Sequence, residues 1–180
     1  MDRRSFLAAL ALLMAGCVPR ASGLSIGSKN FTEQLVLGEL LAQYLGRFTA
    51  LPIERRFYLA GSYICHQALL AGRIDMYVEY TGTALVAILK EPSSSDPAVV
   101  FNTVKDLYAK RFNLEVFPSL GFNNTFAMVM RGNDARRLRL KTLSDAAAVS
   151  SQLRLGVGYE FLERPDGYKG LASKYGLKFA

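Results

Sequence analysis

Histidine occurs once, cysteine twice and tryptophan not at all in the 180 residues. So few imidazoles and thiols exclude a metal centre built from His and Cys, and they exclude a disulfide-stapled scaffold. Acidic side chains are outnumbered, 15 against 22 Lys and Arg, which leaves a net charge of +7. No apolar run reaches the length of a bilayer-spanning helix. What is plentiful is apolar: 51% of residues are hydrophobic, among them 11 Phe and 9 Tyr. That content can fill a core and excludes a disordered chain. The length suits one domain, or one and a half small lobes.

The amino terminus reads as an address. Asp2-Arg3-Arg4-Ser5 is a short basic start, Phe6 to Ala15 is apolar, and Gly16-Cys17 closes the run. This is the order of a secretory signal over residues 1–16, and the run is too short to span a membrane. Leu13-Met14-Ala15-Gly16-Cys17 resembles a bacterial lipobox, which implies that Cys17 is lipidated and that 17–23 is an anchor tether. Arg3-Arg4-Ser5-Phe6-Leu7 also fits a twin-arginine export signal, so Sec and twin-arginine routes both stay open. The chain is therefore expected in the cell envelope, on the periplasmic or extracytoplasmic face, held to the membrane by lipid. An exported chain rarely meets nucleic acid. Its basic residues are also scattered (Arg55-Arg56, Lys110-Arg111, Arg136-Arg137), as a solvated surface requires. Cys65 and His66 suggest a nucleophile and base, but neighbours on a helix point about 100° apart. A buried structural cysteine is the expectation. With no other nucleophile–base pair in view, the chain is not read as an enzyme.

From Leu24 onward, strand and helix patterns alternate. Leu24–Gly27 and Ile53–Leu59 read as strands, and so does Ile74–Val78. Between them Asn30 and Glu33 suggest a capping box, followed by a stripe expected to be buried: Leu37, Leu40, Leu41, Tyr44, Leu45 and Phe48. Ser62–Ala71, Thr83–Leu89 and Ala98–Phe112 read as helices. Leu114–Phe117, Phe126–Met130 and Leu153–Val157 read as strands, the second apolar throughout and so central. Thr142–Gln152 and Gly167–Tyr175 read as helices, and Lys178-Phe179 as the start of a strand. The pattern predicts an α/β fold with a mainly parallel sheet.

Several stretches together resemble the substrate-binding component of osmoprotectant ABC transporters, the glycine betaine/choline/carnitine-binding family. They are Ile26-Gly27-Ser28-Lys29-Asn30-Phe31-Thr32-Glu33-Gln34, Ala68-Leu69-Leu70-Ala71-Gly72-Arg73-Ile74-Asp75, Glu79-Tyr80-Thr81-Gly82-Thr83-Ala84, Gly121-Phe122-Asn123-Asn124-Thr125-Phe126-Ala127 and Glu160-Phe161-Leu162-Glu163-Arg164-Pro165-Asp166-Gly167. The resemblance implies a type II periplasmic-binding-protein-like fold with the ligand between two lobes. Residues 24–119 would form the first lobe without its return segment, and 120–180 the beginning of a second, incomplete lobe. Two further aromatic walls would lie beyond residue 180, so the chain alone is expected to be marginally folded and to bind weakly at best.

The chemistry of such ligands sets its own demands. A quaternary ammonium has no N–H, so aromatic faces must hold it, at about 0.5–2 kcal/mol per ring. A ligand carboxylate needs Arg, Lys or backbone N–H groups. The resemblance makes Tyr80 one wall of the cage, with Thr83 at the next helix start. Asn124 and Phe126 lie in the motif that crosses between lobes. Arg164 is the expected carboxylate ligand, Lys29 stands beside it in the first loop, and Glu160 shapes the polarity of the cage. No cofactor or metal is implied; the partners implied are a quaternary-ammonium ligand and an ABC permease with its ATPase. A same-fold binding or sensor protein for another organic ion, and a non-functional gene remnant, are the rival readings.

Overall fold

The computed structural model describes residues 23–180; the signal-peptide and lipidation readings, and all of the tether but Gly23, fall outside them. The apolar alternation of the first segment becomes strand β1, Leu24–Lys29, and Ile53–Ala60 becomes β2, parallel to it. Leu24 pairs with Ile53 and Gly27 with Arg56, after which the register slips so that Lys29 meets Ala60. Tyr58 absorbs the slip with φ of +62°, and its N–H donates to Ser28 Oγ at 3.0 Å. Such a bulge re-aims the strand end beside it, here Lys29.

The expected third strand is only an isolated parallel bridge between Ile26 and Met76. It is nevertheless tied to β1: Gly27 N–H donates to the Met76 carbonyl at 2.8 Å, and the Asp75 carboxylate accepts from Ser25 N–H and Oγ at 2.7 and 2.8 Å. β1 is thus flanked on both edges, and Ile26 is fully buried. Gly27 lets the flanking segment approach, since a Cβ there would lie 2.6 Å from Ile74 Cδ1.

Helix α1, Thr32–Phe48, makes the crossover. Its start differs from the expected capping box: Phe31 is the N-cap and no side chain caps it. The Glu33 carboxylate is engaged elsewhere, by Tyr80 and Asn124. Its buried face also differs, being Gln34, Gly38 and Ala42, while Leu40, Tyr44 and Phe48 are exposed. Close packing selects the small residues: a Cβ at Gly38 would stand 2.9 Å from the Phe57 ring. Helix α2, Ser62–Leu70, follows β2, and Gly72 turns the chain out of it in the left-handed region. A helical turn at Thr81–Thr83 runs into a π-helical turn, Ala84–Ile88. Helix α3, Pro97–Phe112, packs back on it, and Ala84, Leu85, Leu89, Val100, Val104 and Tyr108 form a buried cluster.

Beyond residue 113 the chain is helical or irregular: α4 (Gly132–Arg137), α5 (Leu143–Ala147), α6 (Tyr159–Glu163) and α7 (Tyr168–Tyr175). A capping box of Thr142 and Asp145 opens α5. The strands expected at 114–117, 126–130, 153–157 and 178–179 are absent among the described residues, and Phe126, Val129 and Met130 are exposed. A strand exists through its neighbours, and here single bonds such as Ala180 N–H to the Leu153 carbonyl (3.0 Å) stand where a ladder would be.

Asp96 caps α3, accepting from Ala98 N–H at 2.8 Å and Val99 N–H at 3.3 Å. Asp96→Ala is expected to lower stability by about 1 kcal/mol in urea unfolding, with Asp96→Asn nearer the parent. Equal midpoints for Asp96→Ala and the parent would contradict the cap.

Candidate functional site

Carboxyl ends of parallel strands open onto the crevice where α/β folds place ligands. Lys29 ends β1 there, and Tyr80 ends the flanking segment. The Lys29 side chain is only 1% exposed and its ammonium pairs with Glu79 Oε1. The same ammonium lies 4.5 Å from the centroid of the Tyr80 ring. Glu79 Oε1 also accepts the Tyr80 N–H at 2.7 Å, so one carboxylate fixes both the cation and the backbone that carries the ring.

The outer end of Tyr80 is held as well. Its hydroxyl donates to Glu33 Oε1, and Asn124 Nδ2 donates to the same oxygen at 2.8 Å. Glu33 thereby joins the first turn of α1 to residues 47 and 91 positions downstream. Phe31 stacks on Tyr80 with centroids 6.4 Å apart and planes at 18°. Burial, and after it the Glu33 carboxylate, holds the Tyr80 phenol above the ordinary tyrosine range, so it stays a neutral donor.

A second cluster adjoins the first along the chain. Arg164 Nη1 donates to Thr83 Oγ1 at 2.9 Å, while Nε and Nη2 fork onto Asp166 at 2.9 and 2.6 Å. The guanidinium carbon lies 5.4 Å from the centroid of Phe126, and Phe126 meets Phe161 edge-on at 5.0 Å. On the sequence, Glu160 stands four residues before Arg164, at the spacing of a helical ion pair. The observed partner is Asp166, because Arg164 leaves α6 with an extended backbone (φ −74°, ψ 136°) and loses the i,i+4 geometry. Glu160 turns away instead and accepts the Ser62 N–H at 2.5 Å, at the positive end of α2.

Lys29, Tyr80 and Asn124 therefore share one cluster, Thr83, Phe126 and Arg164 share a second, and Glu160 stands on a third contact. Sequence reasoning passed over Phe31, Glu79, Phe161 and Asp166, and it gave Glu33 a capping role. All lie inside the quoted motifs, but only the fold shows which of them face one another. Cys65 is fully buried and burial raises its thiol to about 11, while His66 packs edge-on against Phe112 at 4.7 Å. A protonated thiol in that setting is a core residue.

The Lys29–Glu79 pair is more deeply buried than the Arg164–Asp166 pair. Removing one partner of a buried pair leaves the other uncompensated, at about 3–5 kcal/mol. Lys29→Met is expected to lower the urea midpoint sharply or abolish cooperative unfolding, with Lys29→Met/Glu79→Gln recovering part of the loss. A single variant as stable as the parent would contradict the pairing.

Comparison with known proteins meets this geometry. Residues 22–180 match the OpuAC family, the substrate binding domain of ABC-type glycine betaine transport system. The chain is 40% identical over 157 residues to the ergothioneine transport permease/ergothioneine binding protein EgtU of Helicobacter pylori strain G27, covering 87% of this chain and 28% of that protein. It is 33% identical over 177 residues to the carnitine transport binding protein OpuCC of Listeria monocytogenes serotype 1/2a, covering 94% of this chain and 58% of that one. A solved glycine betaine/carnitine/choline ABC transporter structure superposes with a TM-score of 0.64 at 31% identity, over 87% of this chain and 58% of that one. The likeness bears out the α/β, periplasmic-binding-protein-like class, and the chain spans between about a quarter and three fifths of these proteins. It belongs to the OpuAC family, whose members are substrate binding domains of ABC-type glycine betaine transport systems rather than enzymes.

Proposed function

We propose that this chain carries the capture surface of an extracytoplasmic solute-binding lipoprotein, anchored through Cys17, that delivers a quaternary-ammonium osmolyte to an ABC permease driven by its ATPase. Relatives are named for carnitine and glycine betaine binding. The observation that carries the reading is internal to the fold: both rings expected to grip the ligand cation already have a cationic side chain within cation–π range, Lys29 at Tyr80 and Arg164 at Phe126. Their π faces lie where positive charge is tolerated, and Phe126 is largely exposed.

The ligand's methylated nitrogen rests against Tyr80 and Phe126. Its carboxylate, where it has one, meets Thr83 Oγ1 and the Arg164 fork by exchanging with Asp166, whose side chain is partly exposed. That exchange replaces one charge-assisted bidentate pair with another and leaves Arg164 compensated throughout. Residues 24–119 act as the first lobe and 120–180 as part of the second, joined at this rim by the Glu33–Asn124 and Thr83–Arg164 bonds. Hinge closure around a ligand has the same residues meeting across the crevice.

The test is titration of the chain against the N-methyl proton signals of choline and glycine betaine. Tyr80→Ala is expected to weaken both by about two- to thirtyfold, the worth of one ring. Unchanged affinity would remove Tyr80 from the site.

A further inference from the structure

Three carboxylates stand around the two rings, and their partners differ in kind. Glu79 faces the Lys29 ammonium and Asp166 faces the Arg164 guanidinium. Glu33 accepts only from the neutral Tyr80 phenol and the neutral Asn124 amide, both on Oε1. Among the described residues no ion pair reaches it. Glu160, the remaining acid nearby, lies against the Ser62 N–H at the start of α2, where the helix dipole offsets its charge. Lys29 with Glu79 and Arg164 with Asp166 cancel in pairs, so of the three carboxylates around the rings Glu33 alone has no cationic partner among the described residues.

An uncompensated carboxylate does more than anchor a phenol. A ligand that is a net cation is attracted to it at any orientation. A zwitterion brings its own carboxylate, and the attraction of one end is offset by repulsion of the other. We propose that Glu33 is the specificity-determining residue of this site, its carboxylate favouring organic cations that lack an acidic group over zwitterions of similar shape. The inference rests on the reading that a quaternary ammonium binds at Tyr80.

Glu33→Gln separates charge from anchoring, because the amide oxygen still accepts from Tyr80 and Asn124. Choline and glycine betaine serve as probes, one a cation and one a zwitterion, read by their N-methyl proton signals. In Glu33→Gln, choline affinity is expected to fall about tenfold and glycine betaine affinity less than about threefold. A choline-to-betaine affinity ratio that moves by less than about threefold overturns the assignment of Glu33. Glu33→Asp, which keeps the charge, is expected to hold the ratio near the parent's, and a loss as large as that of Glu33→Gln also overturns it. Should Glu33→Gln fail to fold, the unmodified chain decides: from about 20 to about 500 mM salt, choline binding is expected to weaken more steeply than betaine binding. Parallel salt dependence overturns the proposal. A parent chain that binds neither probe even at about 100 mM, where the worth of two rings still registers, overturns the reading of the site itself, and binding of both with an unmoved ratio overturns only the role of Glu33.

Discussion

A buried ammonium under an aromatic ring is the constraint on which the rest of this structure depends. Lys29 ends the central strand inside the protein, where an isolated charge costs several kcal/mol. Glu79 offsets that cost, and by accepting the Tyr80 N–H with the same oxygen it fixes where the ring begins. The bulge at Tyr58 and the close approach at Gly27 both serve this point, one turning the strand end and the other admitting the segment that carries Glu79. Tyr80 is thus held at its backbone by Glu79, beneath its face by Lys29 and at its hydroxyl by Glu33. Three restraints on one ring make a preorganised surface, which lowers the ordering cost of binding.

The two parts of the chain meet through polar contacts. Asn124 reaches Glu33, Arg164 reaches Thr83, and Glu160 reaches the amino end of α2. Bonds of this kind are directional and exchange with water more readily than apolar packing does. The apolar core is built from other residues, in the cluster of Leu85, Val100, Val104 and Tyr108. Rigidity and contact between the parts are therefore supplied by different groups.

Local patterns with their own energetics were legible in the sequence. Helix α3, the Thr142–Asp145 box, the glycine stops at 72 and 176 and the first two strands all follow from residue type and spacing. The buried cysteine followed from the same argument. What was not legible depends on partners. The stripe Leu37–Phe48 has helical spacing whichever side faces the sheet, and only the press of Phe57 on Gly38 decides the matter. Phe126–Met130 has strand chemistry, yet no described strand pairs with it. Arg164 was singled out on the sequence, but its partner followed from where α6 ends, which sequence patterns locate least well. Glu33 shows the same limit most sharply: three residues after Asn30 it fits a capping box, and only the fold brings Tyr80 and Asn124 to it.

The central claim is that a methylated nitrogen is gripped by ring faces at this rim. Intermolecular nuclear Overhauser contacts between choline N-methyl protons and the aromatic protons of the chain test it without altering any residue. The account predicts contacts to the Tyr80 and Phe126 rings together. Contacts confined to rings elsewhere, such as the exposed Tyr44 and Phe48 on α1, would contradict it.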